Sequence, residues 1–285
     1  MSDPLSDPLS DPLSDPLSDQ RPTWWGIFEL APDSTGRWRI GPATLLVQRL
    51  TQEWRVVIET GGDPARADVD IEVPATLPAE RRDLVVHDQV RRFGVSASSG
   101  RVTLAVQLAA LPVVAAPERP VEIPADDEIT VYVGSTLWVS ISVGEPARQL
   151  LELPLMPVSD TWFGPSPRVG ELCYASRTHC RLDLAALPML PHRAITSVQV
   201  RNRASTPLIL EQLKLPVPYL ALYLSSEGGL WTQDVTLERS ERDLSPLQVR
   251  QGVPKNAHDA VLVAQARKQL TDNVMVRAFS SLFSR

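Results

Sequence analysis

Cysteine and long apolar runs are scarce in this sequence, and each scarcity excludes a class of protein. The 285 residues include two cysteines, Cys173 and Cys180, and a cytosolic pair of this kind is normally reduced. No window approaches the ~20 consecutive apolar residues that span a bilayer. The first residues are Asp, Ser and Pro, whereas a secretory signal needs basic residues followed by an apolar stretch. We therefore expect a cytoplasmic protein without structural disulfides.

Excess positive charge is also absent. The formal net charge is −6. The first 22 residues hold five Asp and one Arg, and residues 255–285 hold five basic and two acidic residues, which leaves −5 for residues 23–254. Such a body has no electrostatic footprint for nucleic acid, so we expect no nucleic-acid partner.

Catalytic and cofactor motifs are missing as well. The sequence has no Gly-x-Ser-x-Gly elbow, no P-loop and no Gly-x-Gly-x-x-Gly. The one concentrated reactive cluster is Cys173, His179, Cys180 and His192, but the cysteines lie seven residues apart and neighbours on a strand point to opposite faces. We predict no catalytic residue, no cofactor and no metal site, and interpret these four residues as ordinary strand and loop residues.

The patterns that are present indicate strands. Hydrophobic residues make up 43% of the chain and charged residues 22%, a balance that allows a buried core. From Trp24 onwards, short runs rich in Trp, Val, Ile and Leu alternate with Gly, Pro and Asp clusters, and Glu53 to Glu59 has clear period-two alternation. Strands at this spacing predict an all-β, mainly antiparallel protein. We expect a tight turn at Gly134-Ser135 between two such strands.

Proline clusters suggest the domain boundaries. Four prolines fall between Leu111 and Asp127, where we predict a linker between two β-sandwich-like units. The predicted organisation is a disordered tail (1–22), an N-terminal β domain (23–111), a Pro-rich linker (112–127), a C-terminal β-sandwich domain (128–245), and a linker with an amphipathic helix (246–285).

Four motifs carry a family resemblance. They are Trp24-Trp25-Gly26, the run from Gly36 to Pro42, Glu53-Trp54-Arg55, and the run from Leu213 to Leu220 followed by Gly229-Leu230-Trp231-Thr232. Together they resemble a prokaryotic all-β family of unknown function, over about residues 23–240. The resemblance implies genes that often lie beside small mechanosensitive channels, hence a membrane-stress context, and it supplies no catalytic residues.

A ligand site is predicted in the Pro-rich segment 157–167. Trp162 lies there beside Asp160 and is the aromatic that we expect to be most exposed, whereas tryptophans inside strand patterns belong to a core. A small-molecule or peptide pocket could be bordered by Asp160, Trp162, Arg168 and Arg177. Without a secretion signal, an external polysaccharide is not the expected ligand.

The C-terminal segment is predicted as the interaction element. Pro254, Asn256 and Asp259 form a helix start signal, and residues 257–284 contain neither Gly nor Pro. One apolar stripe could rest on the domain itself, but a second face remains, formed by Met275, Phe279, Leu282 and Phe283. Its expected cover is a second copy, a channel subunit or an anionic membrane surface, and a helix wrapped by its own domain remains an alternative.

These observations predict a non-enzymatic cytoplasmic binding or regulatory protein that acts through protein–protein contacts. The alternative is a small-ligand sensor or an enzyme with a pocket at the junction of the two β domains.

We predict that residues 1–22 are dispensable for folding. Residues 2–17 are four copies of Ser-Asp-Pro-Leu, in which repeated Pro prevents regular structure and one Leu per repeat cannot offset the entropy of ordering. Deleting the tail should leave the melting temperature, measured by circular dichroism, unchanged within error. A drop of several degrees would mean that the tail docks on the folded body.

Overall fold

A computed structural model describes residues 23–79, 83–86, 89–95, 99–240, 245–270 and 275–276. The predicted all-β, mainly antiparallel class is confirmed for these residues. Four single-turn 3₁₀ segments accompany the strands: Leu84–Val86, Leu184–Ala186, Val217–Tyr219 and Lys255–Ala257. The predicted tail, residues 1–22, lies outside the described residues.

The described residues form 24 strands, numbered here in chain order. The first twelve are β1 (Gly26–Glu29), β2 (Ser34–Ile40), β3 (Ala43–Arg49), β4 (Glu53–Glu59), β5 (Val69–Glu72), β6 (Arg91–Gly94), β7 (Arg101–Gln107), β8 (Val113–Pro117), β9 (Val121–Ile123), β10 (Glu128–Thr136), β11 (Trp138–Val143) and β12 (Arg148–Pro154). The second twelve are β13 (Ser159–Ser166), β14 (Val169–Arg181), β15 (Arg193–Asn202), β16 (Leu208–Leu210), β17 (Leu213–Leu215), β18 (Leu222–Leu224), β19 (Leu230–Thr232), β20 (Val235–Arg239), β21 (Ser245–Pro246), β22 (Gln248–Val249), β23 (Val261–Ala264) and β24 (Met275–Val276).

Three sheets contain most of these strands. A four-stranded sheet has the order β1-β7-β11-β12, and a five-stranded sheet has the order β5-β2-β3-β4-β6. Both are antiparallel throughout. The third sheet has eleven strands on the path β17-β8-β14-β10-β15-β19-β18-β23, with β13, β20 and β22 attached to its side. Two small pairs, β9 with β16 and β21 with β24, complete the set.

The central strand of the large sheet is β15. One edge of β15 pairs antiparallel with β10 over nine residues. The other edge pairs in parallel with β19 at Ala194 and Ile195, and with β20 from Val198 to Asn202. Beyond β19 come β18 and then β23, which is the last described strand of the sheet on that side.

Four tryptophans anchor the core. Trp24, Trp38, Trp54 and Trp231 are fully buried, and the first three belong to one apolar cluster that also includes residues of the large sheet. The alternating burial of β7, in which every second residue is buried, matches the period-two pattern of a strand with one face on the core.

The predicted turn at Gly134-Ser135 is wrong, and the segment predicted as a linker contains strands. Gly134 and Ser135 do not form a turn, because they lie inside β10 and pair with Ile195 and Ala194 of β15. Residues 112–127, predicted as a linker, contain β8 and β9, and Asn202 Nδ2 donates to the carbonyl oxygens of Ile123 and Pro124 at 3.1 and 2.9 Å. The division into two sandwich-like units stays a prediction.

The predicted C-terminal helix is wrong over the described residues. Residues 261–264 form β23, which pairs antiparallel with β18, and residues 275–276 form β24. Apolar residues of this segment do recur at helical spacing, but the β-branched residues Val261 and Val263 also favour a strand. Tertiary pairing with β18 overrides the local helical pattern, because it provides hydrogen-bond partners for an exposed sheet edge. Residues 271–274 and 277–285 lie outside the described residues.

Pro191 and His192 contact residues of the first predicted unit. Trp24 Nε1 donates to the carbonyl oxygen of Pro191 at 3.0 Å. Gly41, at the turn between β2 and β3, has φ of 54°, and a β-carbon there would lie 2.6 Å from both His192 Nδ1 and the Arg66 carbonyl oxygen. Glycine is therefore required at position 41 both for its conformation and for this close approach.

His192 is enclosed at this contact. It is 0% exposed, and neither ring nitrogen has a hydrogen-bond partner among the described residues. Burial, helped by the neighbouring Arg193 guanidinium, lowers the pKa of the imidazole to about 4. The ring is therefore neutral at physiological pH and contributes to packing rather than to charge.

We predict that His192 makes the fold lose stability as the pH falls below 6.5. The unfolded chain takes up the proton near pH 6.5 and the folded protein only near pH 4, so acid favours the unfolded chain. From about pH 7 to about pH 5 the free energy of unfolding should fall by about 2 kcal/mol through this group. Urea unfolding of the unmodified protein and of His192→Leu measures the difference, and the variant should lack this part of the decrease.

The control is His258→Gln, because His258 is exposed. This variant should keep the pH dependence of the unmodified protein. Equal pH dependence in His192→Leu and the unmodified protein would contradict the account.

Candidate functional site

The predicted ligand residues lie on the hairpin of β13 and β14. Asp160 and Trp162 are two residues apart on β13 and face Tyr174 and Leu172 across the pair. Trp162 is 49% exposed, so its predicted exposure is confirmed. Its Nε1 donates to the Ser166 carbonyl oxygen at 2.9 Å.

The other two predicted ligand residues lie further along the same hairpin. Arg168 is in the turn, and Arg177 lies on β14 with its side chain outside the described residues. The binding role of these four residues stays a prediction.

The predicted partner-binding residues fall mostly beyond the described chain. Met275 lies on β24, opposite Pro246. Phe279, Leu282 and Phe283 lie outside the described residues.

Of the four cysteines and histidines singled out in the sequence, Cys173, Cys180 and His192 are buried, and the side chain of His179 lies outside the described residues. Both cysteines are buried free thiols, and burial raises the pKa of Cys173 to about 11 and that of Cys180 to about 12. No group of three or more His, Cys, Asp and Glu side chains could hold a metal ion within the part of the chain that the structure describes. The thiols are therefore protonated at neutral pH and contribute as small apolar groups.

The structure points to another site, at the edge strand β23. Among the described strands, β18 is the one partner of β23, so the outer edge of β23 carries no further strand there. Val261 is 61% and Leu262 48% exposed. The strand reads Val-Leu-Val-Ala and lacks the charges and prolines with which natural proteins protect edge strands.

One cavity, here called the tryptophan cavity, lies on the Val261 side of this edge. Its volume is about 530 Å³. Its apolar walls include Trp24, Trp25, Met189, Leu224 and Val261. The rings of the two tryptophans meet edge to face, with centroids 5.2 Å apart. This size and lining are typical of a ligand pocket.

The loop from Ser225 to Gly229 closes one side of the tryptophan cavity. Ser225 N donates to the Gly229 carbonyl oxygen at 2.9 Å, and Gly229 N donates to Ser225 Oγ at 3.1 Å. A β-carbon on Gly229 would lie 2.8 Å from Met189 Sδ and 3.1 Å from Trp231 Nε1. Glycine therefore lets the loop pack tightly against the cavity wall.

Two carboxylates line the tryptophan cavity. Asp68 is paired with Arg66, and Asp259 accepts a hydrogen bond from Ser226 N at 3.2 Å. These hydrogen bonds hold the pKa of both carboxyls below the usual range, so both are ionised at neutral pH. They are suited to binding a cation or a donor, and not to general acid catalysis.

A second cavity, here called the glutamine cavity, lies on the Leu262 side. Its volume is about 700 Å³. Its lining includes Tyr219, Tyr223 and the amides of Gln233, Gln251, Gln265 and Gln269. Lys268 Nζ lies 5.8 Å from the ring centroid of Tyr219, and none of the described residues that line the cavity carries a carboxylate. This cavity is therefore polar and weakly basic.

The two cavities lie on opposite faces of the same strand pair. Leu224 pairs with Val261, and both line the tryptophan cavity; Tyr223 pairs with Leu262, and both line the glutamine cavity. Successive side chains of a strand point to opposite faces. A strand added along the outer edge of β23 would therefore direct alternate side chains into the two cavities.

A third cavity, of about 680 Å³, lies between residues 60–65 and the segments around 156–159 and 186–193. Like the tryptophan cavity, it is lined by residues from both sides of the predicted linker, and the predicted pocket at a domain junction stays a prediction.

A family model described as Protein of unknown function (DUF432) matches residues 24–284. The chain belongs to the DUF432 family. The match confirms the resemblance to a family of unknown function and extends it through β23 and the C-terminal segment. No curated protein and no solved structure matches the chain. Within the described residues of this DUF432 chain, no helix is long and apolar enough to cross a membrane.

Sequence reasoning missed the edge site of this DUF432 chain. The signal was present in Val261-Leu262-Val263, an uncharged run with two β-branched residues, which was interpreted as part of a helix. The tryptophan cavity has no local signal, because Trp24 and Pro191 are 167 residues apart in sequence.

Proposed function

We propose that this chain is a non-enzymatic binding protein that captures an extended segment of a partner protein by β-strand addition at β23. Two observations support this proposal. The outer edge of β23 has no further partner among the described strands, and a cavity lies on each face of the strand. Main-chain hydrogen bonds would supply affinity, and the two cavities would select alternate side chains. Covering Val261 and Leu262 would contribute at most about 1.5 to 3 kcal/mol each.

The volumes favour a partner segment over a second copy of the chain. If two copies paired through β23, Val261 and Leu262 would face the cavities of the opposite copy. These short side chains would leave most of the 530 and 700 Å³ unfilled, and unfilled volume forfeits contacts.

The chain's own tail is a poorer occupant. Its Pro at every fourth residue removes donors from a strand ladder. Its five Asp would also meet the ionised Asp68 and Asp259 of the tryptophan cavity.

The proposal includes a compartment and a candidate partner. The cytoplasm is the proposed location. A channel subunit is the candidate partner that the family resemblance suggests, with contact at the membrane surface as its consequence. The proposed contact is made through a strand and not through the amphipathic helix predicted from the sequence.

A second candidate function is small-ligand sensing at the tryptophan cavity. It is favoured by the lining, which combines residues 23–25 and 67–69 of the first predicted unit with residues 189–191 and 224–230 of the second. A small molecule bound there would couple the two units without use of the β23 edge.

We predict that short extended peptides selected from a random phage-displayed library bind at β23. Isothermal titration calorimetry of a selected peptide should give at least about tenfold weaker binding to Val261→Asp, because a charge on the edge opposes strand addition. The matched control is Ile209→Asp, since Ile209 is 55% exposed on β16, far from β23 in the topology. This control should bind as the unmodified protein does.

Equal loss of affinity in both variants, or none in Val261→Asp, would contradict strand addition. A dimer of the unmodified protein in analytical ultracentrifugation that Val261→Asp converts to a monomer would mean that the occupant is a second copy, and would also overturn the proposal.

A further inference from the structure

We infer that the tryptophan cavity selects a long basic side chain, arginine before lysine, from the segment that adds to β23. This inference rests on the proposed function for the source of the side chain, and it assigns the ligand chemistry of the cavity itself. Three features of the cavity carry it: the charges at its walls, the available indole, and the apolar surface between them.

The charge of the cavity is negative. Among the described residues, Asp68 and Asp259 are the charged members of its lining, and no described Lys, Arg or His lines it. Asp68 is offset by Arg66 and, at 3.9 Å, by Arg39. Asp259 forms no ion pair with a Lys or Arg of the described residues, and its carboxylate is held in position by Ser226 N at 3.2 Å. An uncompensated, positioned carboxylate favours a cationic ligand group.

The aromatic component is Trp25. Trp24 is fully buried and donates to Pro191, whereas Trp25 is half-buried and lines the cavity beside it. The two rings are almost perpendicular, at 89°. A guanidinium group stacks on an indole face and donates to a carboxylate at the same time, which an ammonium group does less well.

The remaining wall suits the stem of such a side chain. Met189, Leu224, Leu230 and Val261 provide apolar surface in the same cavity as Asp259. Arginine buries a three-carbon stem against apolar groups while its charged end reaches a polar partner. An acidic side chain would meet two carboxylates, and a short apolar one would leave Asp259 unused.

The test uses small probes that need no added strand. The full-length protein is labelled with 5-fluorotryptophan, which gives seven tryptophan signals, and the Trp25 signal is assigned with Trp25→Phe. The probes are N-acetyl-arginine methylamide and its neutral isostere, N-acetyl-citrulline methylamide. The arginine probe should shift the Trp25 ¹⁹F signal at concentrations at least about tenfold lower than the citrulline probe.

The decisive variant is Asp259→Asn, in which the two probes should bind alike. The matched control is Glu227→Gln, which removes a negative charge from the neighbouring loop without changing the cavity lining; it should keep most of the preference. The signals of the other tryptophans report whether each variant is folded.

Equal binding of the two probes, or a preference that survives Asp259→Asn, would overturn the inference. If the probes fail while selected peptides still bind at β23, the inference fails and the proposed function stands. If the arginine probe binds as expected while no peptide depends on Val261, strand addition fails and the basic-ligand cavity stands.

Discussion

The position of the edge site depends on one additional residue in the segment from β19 to β20, which pairs in parallel with β15. Leu230 pairs with Ala194, and Val235 pairs with Val198, so the four residues 231–234 on one side lie opposite the three residues 195–197 on the other. The extra residue falls at Gln233-Asp234 and separates β19 from β20. Such a bulge bends a strand and redirects its outer edge. Before the bulge, the outer edge of β19 pairs with β18; after the bulge, the outer edge of β20 pairs with β22.

Gln233 holds the two branches together. Its Oε1 accepts a hydrogen bond from Ala221 N at 3.0 Å, just before β18, and its Nε2 donates to the Arg250 carbonyl oxygen at 3.2 Å, just after β22. Beside it, Thr232 Oγ1 donates to Thr196 Oγ1 of β15 at 2.7 Å. These bonds satisfy polar groups that the bulge would otherwise leave unpaired in a buried position. They also position β18, and through it β23.

Both faces of the β18–β23 pair border a cavity. The face with Leu224 and Val261 borders a wall of tryptophans and carboxylates, and the face with Tyr223 and Leu262 borders glutamine side chains. Two chemically different faces would let a binding edge distinguish the register and the direction of an added strand.

Local patterns were sufficient to predict the strands near the N-terminus and the all-β class. The alternation around Trp54 and Val56 predicts β4 because one face of that strand is buried. Local patterns failed where long-range pairing decides. Residues 261–264 fit a helical stripe and a strand equally well, and only the open edge of β18 selects the strand.

The residues of the candidate site were the least predictable part. Exposed Trp162 could be predicted from its Pro-rich surroundings, but no sequence signal links Trp25, Asp68 and Asp259, which come from three distant segments of the chain. The carboxylates form a candidate site only together with the indole and the apolar wall beside them, and the fold determines which residues these neighbours are.

The most direct measurement is amide hydrogen exchange at residues 261–264, followed by nuclear magnetic resonance in the full-length protein without any ligand. A strand with one paired and one open edge should have protected amides directed at β18 and rapidly exchanging amides directed outward. The account predicts this mixed pattern, with the outward amides slowed when a peptide binds. Uniform strong protection of all four amides in the free protein would mean that the edge is already covered, and would contradict the account.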